Sequence, residues 1–279
     1  MIVSALIGEM RREASDLPEK HKDVRQGDGL STVYKTKYAP ILESSFKLYV
    51  NNALQAASGY TVDLDTGDID LQGPTSNEVR VQYQSVQHRD QHWLEFIQSS
   101  IRAFGDKFYR ATIRDASAMS ISANVQVYDC PSTCIRATEI LESDDFTSGG
   151  NYRQLNTNVR YDRRSNKIIL GNKPTTANFV ELSYLKRLSV PTAISDTLDV
   201  EENWIEMVKL KSIAKHARAY AYQIAKDGNV SVEEGHLQMR DLRALANDSE
   251  ILFEDLKKKN KPVMPNSTIP FEIDGGGSV

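Results

Sequence analysis

Two cysteines, Cys130 and Cys134, are all the thiols this chain carries. That excludes a disulfide framework and fits a reducing compartment. No apolar run approaches the about eighteen residues that a membrane-spanning helix needs. Charge of one sign is also missing: Lys and Arg number 34 against 38 Asp and Glu, a net charge of −4. The basic excess that marks a dedicated nucleic-acid binder is therefore lacking. So are the Gly-x-Ser-x-Gly elbow, the phosphate-cradling Gly-Lys-Ser/Thr loop and the dinucleotide glycine fingerprint, and with them the commonest signatures of hydrolases and nucleotide enzymes. In the opening MIVSALIGEMRREASD the charges follow the apolar run, the wrong order for a secretory leader.

What is present is ordinary globular protein. Apolar residues make up 40% and charged residues 26% of the 279 positions, enough to build a sizeable core in one or two domains. The most patterned stretch runs from Tyr60 to Phe108. Val62 and Leu64 alternate with polar residues, Asp65-Thr66-Gly67-Asp68 makes a turn, and Ile69 and Leu71 return. Val79, Val81 and Tyr83 supply a third strand. The period then changes to helical, with Leu94, Ile97, Ile101, Phe104 and Phe108 spaced three and four apart.

Residues 159–184 repeat this grammar. Asp162 stands for Asp63, Ser165-Asn166 for Thr66-Gly67, Ile168 and Leu170 for Ile69 and Leu71, and Val180, Leu182 and Tyr184 for Val79, Val81 and Tyr83. Trp93-Leu94-Glu95 and Trp204-Ile205-Glu206 then open a helix in each copy. Glycine and asparagine both tolerate the left-handed backbone of such a turn. A duplication is expected.

The predicted fold class is α+β: two antiparallel β-meander units, each followed by a helix, plus a C-terminal antiparallel helical hairpin and extended termini. Residues 1–40 read as a short N-terminal helix (2–14) and a polar extended segment. Residues 41–110 form the first meander–helix unit, and 111–200 the second β unit, where Ile121, Ala123, Val125 and Val127 alternate like a strand. Residues 201–259 form the helical hairpin, with Asp199 and Ser231 each three before a glutamate in a capping-box pattern. Its first helix carries an apolar stripe from Leu210 to Ile224, its second Leu242, Leu245, Leu252 and Leu256. Residues 260–279 form a Pro/Gly-rich tail in which Ile269, Phe271 and Ile273 alternate, suited to adding as a strand to a neighbouring sheet.

The candidate contact residues follow from charge. Asp63, Asp65, Asp68 and Asp70 crowd the first turn, while the second carries Arg160, Arg163, Arg164 and Lys167. Placed side by side in two copies, an acidic tip and a basic tip would set a register. The four aspartates also suggest a calcium loop, without EF-hand spacing or a closing glutamate. Asp65-Thr66-Gly67 spells the aspartic-protease triplet, yet its counterpart lacks a partner carboxylate, and a hairpin turn accounts for it. Cys130 and Cys134 with His88 and His92 make a conceivable but irregular zinc quartet. His21, His216 and His236 read as scattered surface residues. Trp93 and Trp204 read as seals between strand and helix. No catalytic residue, cofactor or metal is assigned.

Taken together, the order of elements and the segments KLYVNNALQAASGYTVD, the Thr-Gly turn and V-x-V-x-Y resemble the neck proteins of tailed bacteriophages, the head–tail connectors or adaptors. The resemblance covers residues 41–108 well and 152–226 loosely. It implies a non-enzymatic virion protein made in the host cytoplasm: a homo-oligomeric ring, commonly dodecameric, between portal and tail, with DNA passing through without sequence specificity. Its partners would be itself, the portal protein and a tail or further neck protein. The mild negative charge agrees with DNA sliding past, since a basic lumen would hold phosphates. Two strand units set the chain apart from the many adaptors that are mainly helical. A tail-completion or baseplate protein, and a non-catalytic ligand-binding module, are the alternative readings.

Overall fold

The computed structural model describes residues 1–105, 108–143, 152–155, 158–174, 180–226, 232–260 and 269. The chain is α+β with antiparallel sheets and, among the described residues, four α-helices of which the last two form a C-terminal pair. In order it runs α1 (Val3–Glu13), β1 (Glu19–Gln26), β2 (Val33–Lys35), β3 (Lys47–Val50), β4 (Ala53–Leu54), β5 (Tyr60–Val62), β6 (Asp68–Leu71), β7 (Glu78–Ser85) and α2 (Asp90–Phe104). It continues with β8 (Tyr109–Asp115), β9 (Val127–Asp129), β10 (Cys134–Ser143), β11 (Tyr152–Gln154), β12 (Val159–Asp162), β13 (Lys167–Leu170), β14 (Val180–Arg187), α3 (Glu202–Lys226) and α4 (Val232–Lys259).

The duplication is complete and larger than the sequence suggests. In the first copy the sheets are ordered β1-β7-β3-β4 and β2-β6-β5; adding seven to every number gives the sheets of the second copy, β8-β14-β10-β11 and β9-β13-β12. Register is kept in the three-stranded sheets, while the second copy's four-stranded sheet carries bulges on both sides of β14 where the first runs without shifts. Tyr34 on β2 faces Ile69 on β6 as Tyr128 on β9 faces Ile168 on β13. Tyr83 donates its hydroxyl to Asp23 at 2.8 Å, and Tyr184 donates to Asp115 at 3.2 Å. In each copy the inner faces of the two sheets share one core: Tyr34, Ile69, Leu71, Val79, Val81 and Tyr83 in the first, Tyr128, Ile168, Leu170, Val180, Leu182 and Tyr184 in the second.

The third strand of each expected meander lies elsewhere. β7 and β14 leave the hairpin they follow and pair in the four-stranded sheet, while β2 and β9 take the place beside β6 and β13. Alternation shows that a segment is a strand, but not which edge it joins. Residues 15–40, read as extended polar loop, supply β1 and β2. β1 was hidden because its inner face is polar as well: His21, Asp23 and Arg25 lie beside Tyr83, Val81 and Val79 of β7, so no apolar alternation marks the strand. The alternating residues from Ile121 to Val127 contain a turn, and only Val127–Asp129 is strand.

Two compact units result. One comprises Met1–Ala103, Val190–Leu198 and Glu202–Lys258; the other comprises Phe104–Ser189, Asp199–Glu201 and Lys259–Val279. The first unit holds the first strand copy with most of the helices. Val3, Leu6, Ile7 and Met10 bury the inner stripe of α1. Ile97 and Ile101 do the same for α2, and Ile213, Ala214, Ala217, Ala221 and Ile224 for α3. On α4 the buried positions among the described residues are Gly235, Ala246, Ser249 and Phe253; Leu252, expected inside, is 52% exposed. α3 starts at Glu202, so Asp199 does not cap it; its carboxylate instead meets Arg110, Lys186 and Ser189. Ser231 and the break at Asp227-Gly228-Asn229 lie outside the described residues.

Candidate functional site

The two hairpin tips are built alike from backbone chemistry. Asp63 accepts the N–H groups of Asp65 and Thr66 at 2.9 and 3.2 Å; Asp162 accepts the N–H of Arg164 at 3.0 Å and the hydroxyl of Ser165 at 2.6 Å. Each is an Asx-type turn that closes on a left-handed residue, Gly67 (φ 74°) or Asn166 (φ 54°). These bonds hold both carboxyls below the usual range, through the Asp65 amide first in Asp63 and the Ser165 hydroxyl first in Asp162.

Three of the remaining tip charges, Asp65, Asp68 and Lys167, pair within the chain. Asp65 receives the Arg89 guanidinium at two points, both 2.7 Å, a bidentate pair that ties the tip to the start of α2. Asp68 accepts Thr66 at 2.7 Å and pairs with Lys35 of β2 at 3.2 Å. At the matching place in the second copy, Lys167 pairs with Asp129 of β9, also at 3.2 Å. The charges are exchanged across an otherwise conserved ladder step: Lys35 faces Asp68, and Asp129 faces Lys167. The sign reversal seen in the sequence therefore satisfies cross-strand pairing inside each copy. Asp70 is exposed on β6, as are Arg160, Arg163 and Arg164 around the second tip.

The proposed metal sites do not assemble. Among the described residues no group of three or more His, Cys, Asp or Glu is arranged to hold an ion. Asp65 is taken by Arg89 and Asp63 by turn amides, which removes the calcium loop. Cys130 and Cys134 are buried in the second unit's core, where the hydrogen bond with the Cys134 thiol, and then burial, push the Cys130 thiol far up. His88 and His92 belong to the first unit. Ile269 is 4% exposed within the second core, and its N–H donates to the Thr138 carbonyl at 3.3 Å. It is an anchor for its own chain, because β10 offers an apolar recess there. Phe271 and Ile273 lie outside the described residues.

A cluster that the sequence reading passed over lies at the centre of the first unit. Arg11 is buried and donates to the Asp16 carboxylate at 2.6 Å, the His88 carbonyl at 2.6 Å and Asp90 at 2.9 Å. Asp16 also accepts the Trp93 indole N–H at 2.8 Å. Trp93 stacks on His216 with ring centroids 4.5 Å apart, and His88 meets His216 edge-on at 4.9 Å. His216 is fully buried, contrary to its surface assignment, and its ring nitrogens find no hydrogen-bond partner among the described residues. Only a neutral ring tolerates that position. Burial, followed by the neighbouring imidazole's charge, lowers His216 to about 3 and His88 to about 4. Burial also raises the Asp16 carboxyl, against the pull of Arg11. One signal was in the sequence: His216 lies three after Ile213 and four before Tyr220, on the apolar stripe of α3. The cluster locks α1, α2 and α3 together, and Trp93 serves as a helix-to-helix seal.

No helix among the described residues is long and apolar enough to cross a membrane. No protein-family model matches the chain, and no curated protein sequence is significantly similar to it.

Proposed function

We propose that the protein is a structural ring component of a tailed-phage neck, joining portal to tail. The resemblance over residues 41–108 supplies the reading, and one structural observation carries it. The C-terminal helix pair exposes Tyr222, Leu237, Ile251 and Leu252, each more than half accessible. Single exposed apolar residues are ordinary, but several along one helix pair make a surface suited to another protein. The internal pairs of Asp65, Asp68 and Lys167 support a rigid building block. In this reading the α3–α4 pair and the open sheet face of the first unit meet neighbouring subunits, and DNA passes through the ring without being read.

The test is the mass of the purified protein by light scattering, alone and mixed with purified portal rings. A closed oligomer, or retention of the protein on the rings, is the expected result. A strict monomer that ignores portal would sink the proposal.

A further inference from the structure

We infer that the subunits meet head to tail, the outer stripe of α4 in one copy lying across the outer face of the β1-β7-β3-β4 sheet in the next. The inference rests on the ring reading and names the two surfaces that would close it. In the first unit the inner face of β7 is buried, while Arg80, Gln82 and Gln84 on its other face stay partly open. Their ladder partners are Lys22 and Lys20 on β1 and Lys47 and Tyr49 on β3. Lys20, Lys22 and Lys47 are exposed and line a groove of about 600 Å³ with Ser44 and Ser45. Arg80 stacks over Tyr49 at 4.5 Å, and Val24 and Leu54 add exposed apolar surface. Glu78, at the far end of β7, is the acid on this face. A protein of net charge −4 thus concentrates cations on one sheet face.

The complementary surface is on α4. Asp241, Asp248 and Asp255 recur every seven residues and are exposed, with Ile251 and Leu252 exposed between the last two. Seven residues of helix rise about 10 Å. Lys22 and Lys47 both lie opposite Gln82, on strands either side of β7, two strand spacings apart. That separation is again about 10 Å. A helix crossing the strands therefore sets consecutive aspartates over Lys22 and Lys47, and its apolar pair near Val24, Tyr49 and Leu54. Asp241 and Asp255 already meet Arg240 and Lys258, at 3.5 and 3.8 Å, but these are solvent-exposed pairs that a second copy displaces at small cost. Both surfaces belong to one unit and differ from each other. The contact is heterologous, the kind that repeats around a ring.

The experiment is a charge exchange on the full chain, followed by sedimentation at graded protein and salt concentrations, with folding checked by circular dichroism. Lys22→Glu with Lys47→Glu, and separately Asp248→Lys with Asp255→Lys, each raise the concentration needed for assembly about tenfold or more, and salt does the same to the wild type. The four changes together restore assembly. If the wild type assembles and neither pair of changes alters it, the inference is wrong and the ring reading stands. A wild type that stays monomeric removes both. If the lysine changes abolish binding of a short DNA duplex and leave assembly intact, the face belongs to nucleic acid and the inference is overturned.

Discussion

The two strand copies share strand order but have been put to different uses. In the first, the outer face of β7 is half open and lined by basic and amide side chains. In the second, the equivalent positions on β14 (Glu181, Ser183 and Leu185) are buried. All five histidines lie in the first unit, and both cysteines in the second. The second copy keeps a closed core with two thiols inside it. The first surrounds a charged and aromatic junction with helices and leaves a sheet face open. A duplicated scaffold conserves what closes its core and is free to change what faces outward.

The largest expected difference is in acid. Unfolded histidine takes up a proton near pH 6.5, whereas His88 and His216 resist it until about pH 4 and 3. The unfolded state therefore binds more protons below pH 6.5, and this contribution to stability falls as pH drops toward 4. A histidine that stays neutral in the folded state from pH 6.5 to 4.5 removes about 3 kcal/mol of stability over that interval. Arg11, Asp90, His92 and Tyr220 surround the pair, and Asp16, with its raised carboxyl, acts in the opposite sense. The variant His216→Phe, which keeps a planar ring, isolates the histidine part: between pH 6.5 and 4.5 it should lose less stability than the wild type in urea melts. Amide exchange should quicken in the first unit and stay unchanged in the second. Equal loss in both units would erase the contrast drawn here.

A smaller effect tests why one tip uses glycine and the other asparagine. A Cβ at Gly67 would run into the Thr36 hydroxyl, whereas Asn166 has room for its side chain and donates to the Pro131 carbonyl at 3.1 Å. Gly67→Asn should cost about 2 kcal/mol through overpacking. Asn166→Gly should cost about 1 kcal/mol, chiefly the hydrogen bonds to Pro131 and Tyr161. Thermal melts of the two variants check the order, and the reverse order would mean that the tips are not equivalent. The smallest effect belongs to the exchanged ladder pairs. Lys35→Asp with Asp68→Lys copies the polarity of the second unit and should shift stability by less than about 1 kcal/mol, each single change costing no more than that.

The sequence revealed the repeat where side chains alternate against a core: Ile69 and Leu71, Val79 to Tyr83, and their counterparts. It concealed β1, whose inner positions His21, Asp23 and Arg25 are polar and leave no alternation to read, and it concealed which strand lies beside which, because pairing is decided by long-range contacts. The tips were legible as turns, but a charge pattern does not show which of its members find partners in the same chain: Asp65 meets Arg89 and Asp68 meets Lys35. Asp70, Arg160, Arg163 and Arg164 are exposed. His216 was missed because a lone polar residue on an apolar stripe looks like an exception until Trp93 is seen lying against it. Ile269 was recognised as an apolar anchor and assigned to the wrong chain.

The exchanged lysine–aspartate pairs have a consequence for how a chain with two copies of one design reaches a single structure. Either copy's middle hairpin could, by shape, accept the other's short third strand. If β2 paired with β13, Lys35 would face Lys167; if β9 paired with β6, Asp129 would face Asp68. Each mistaken pairing sets like charges together, and each correct one joins opposites. The swap therefore penalises, by a small electrostatic cost, an exchange of strands that shape alone would allow.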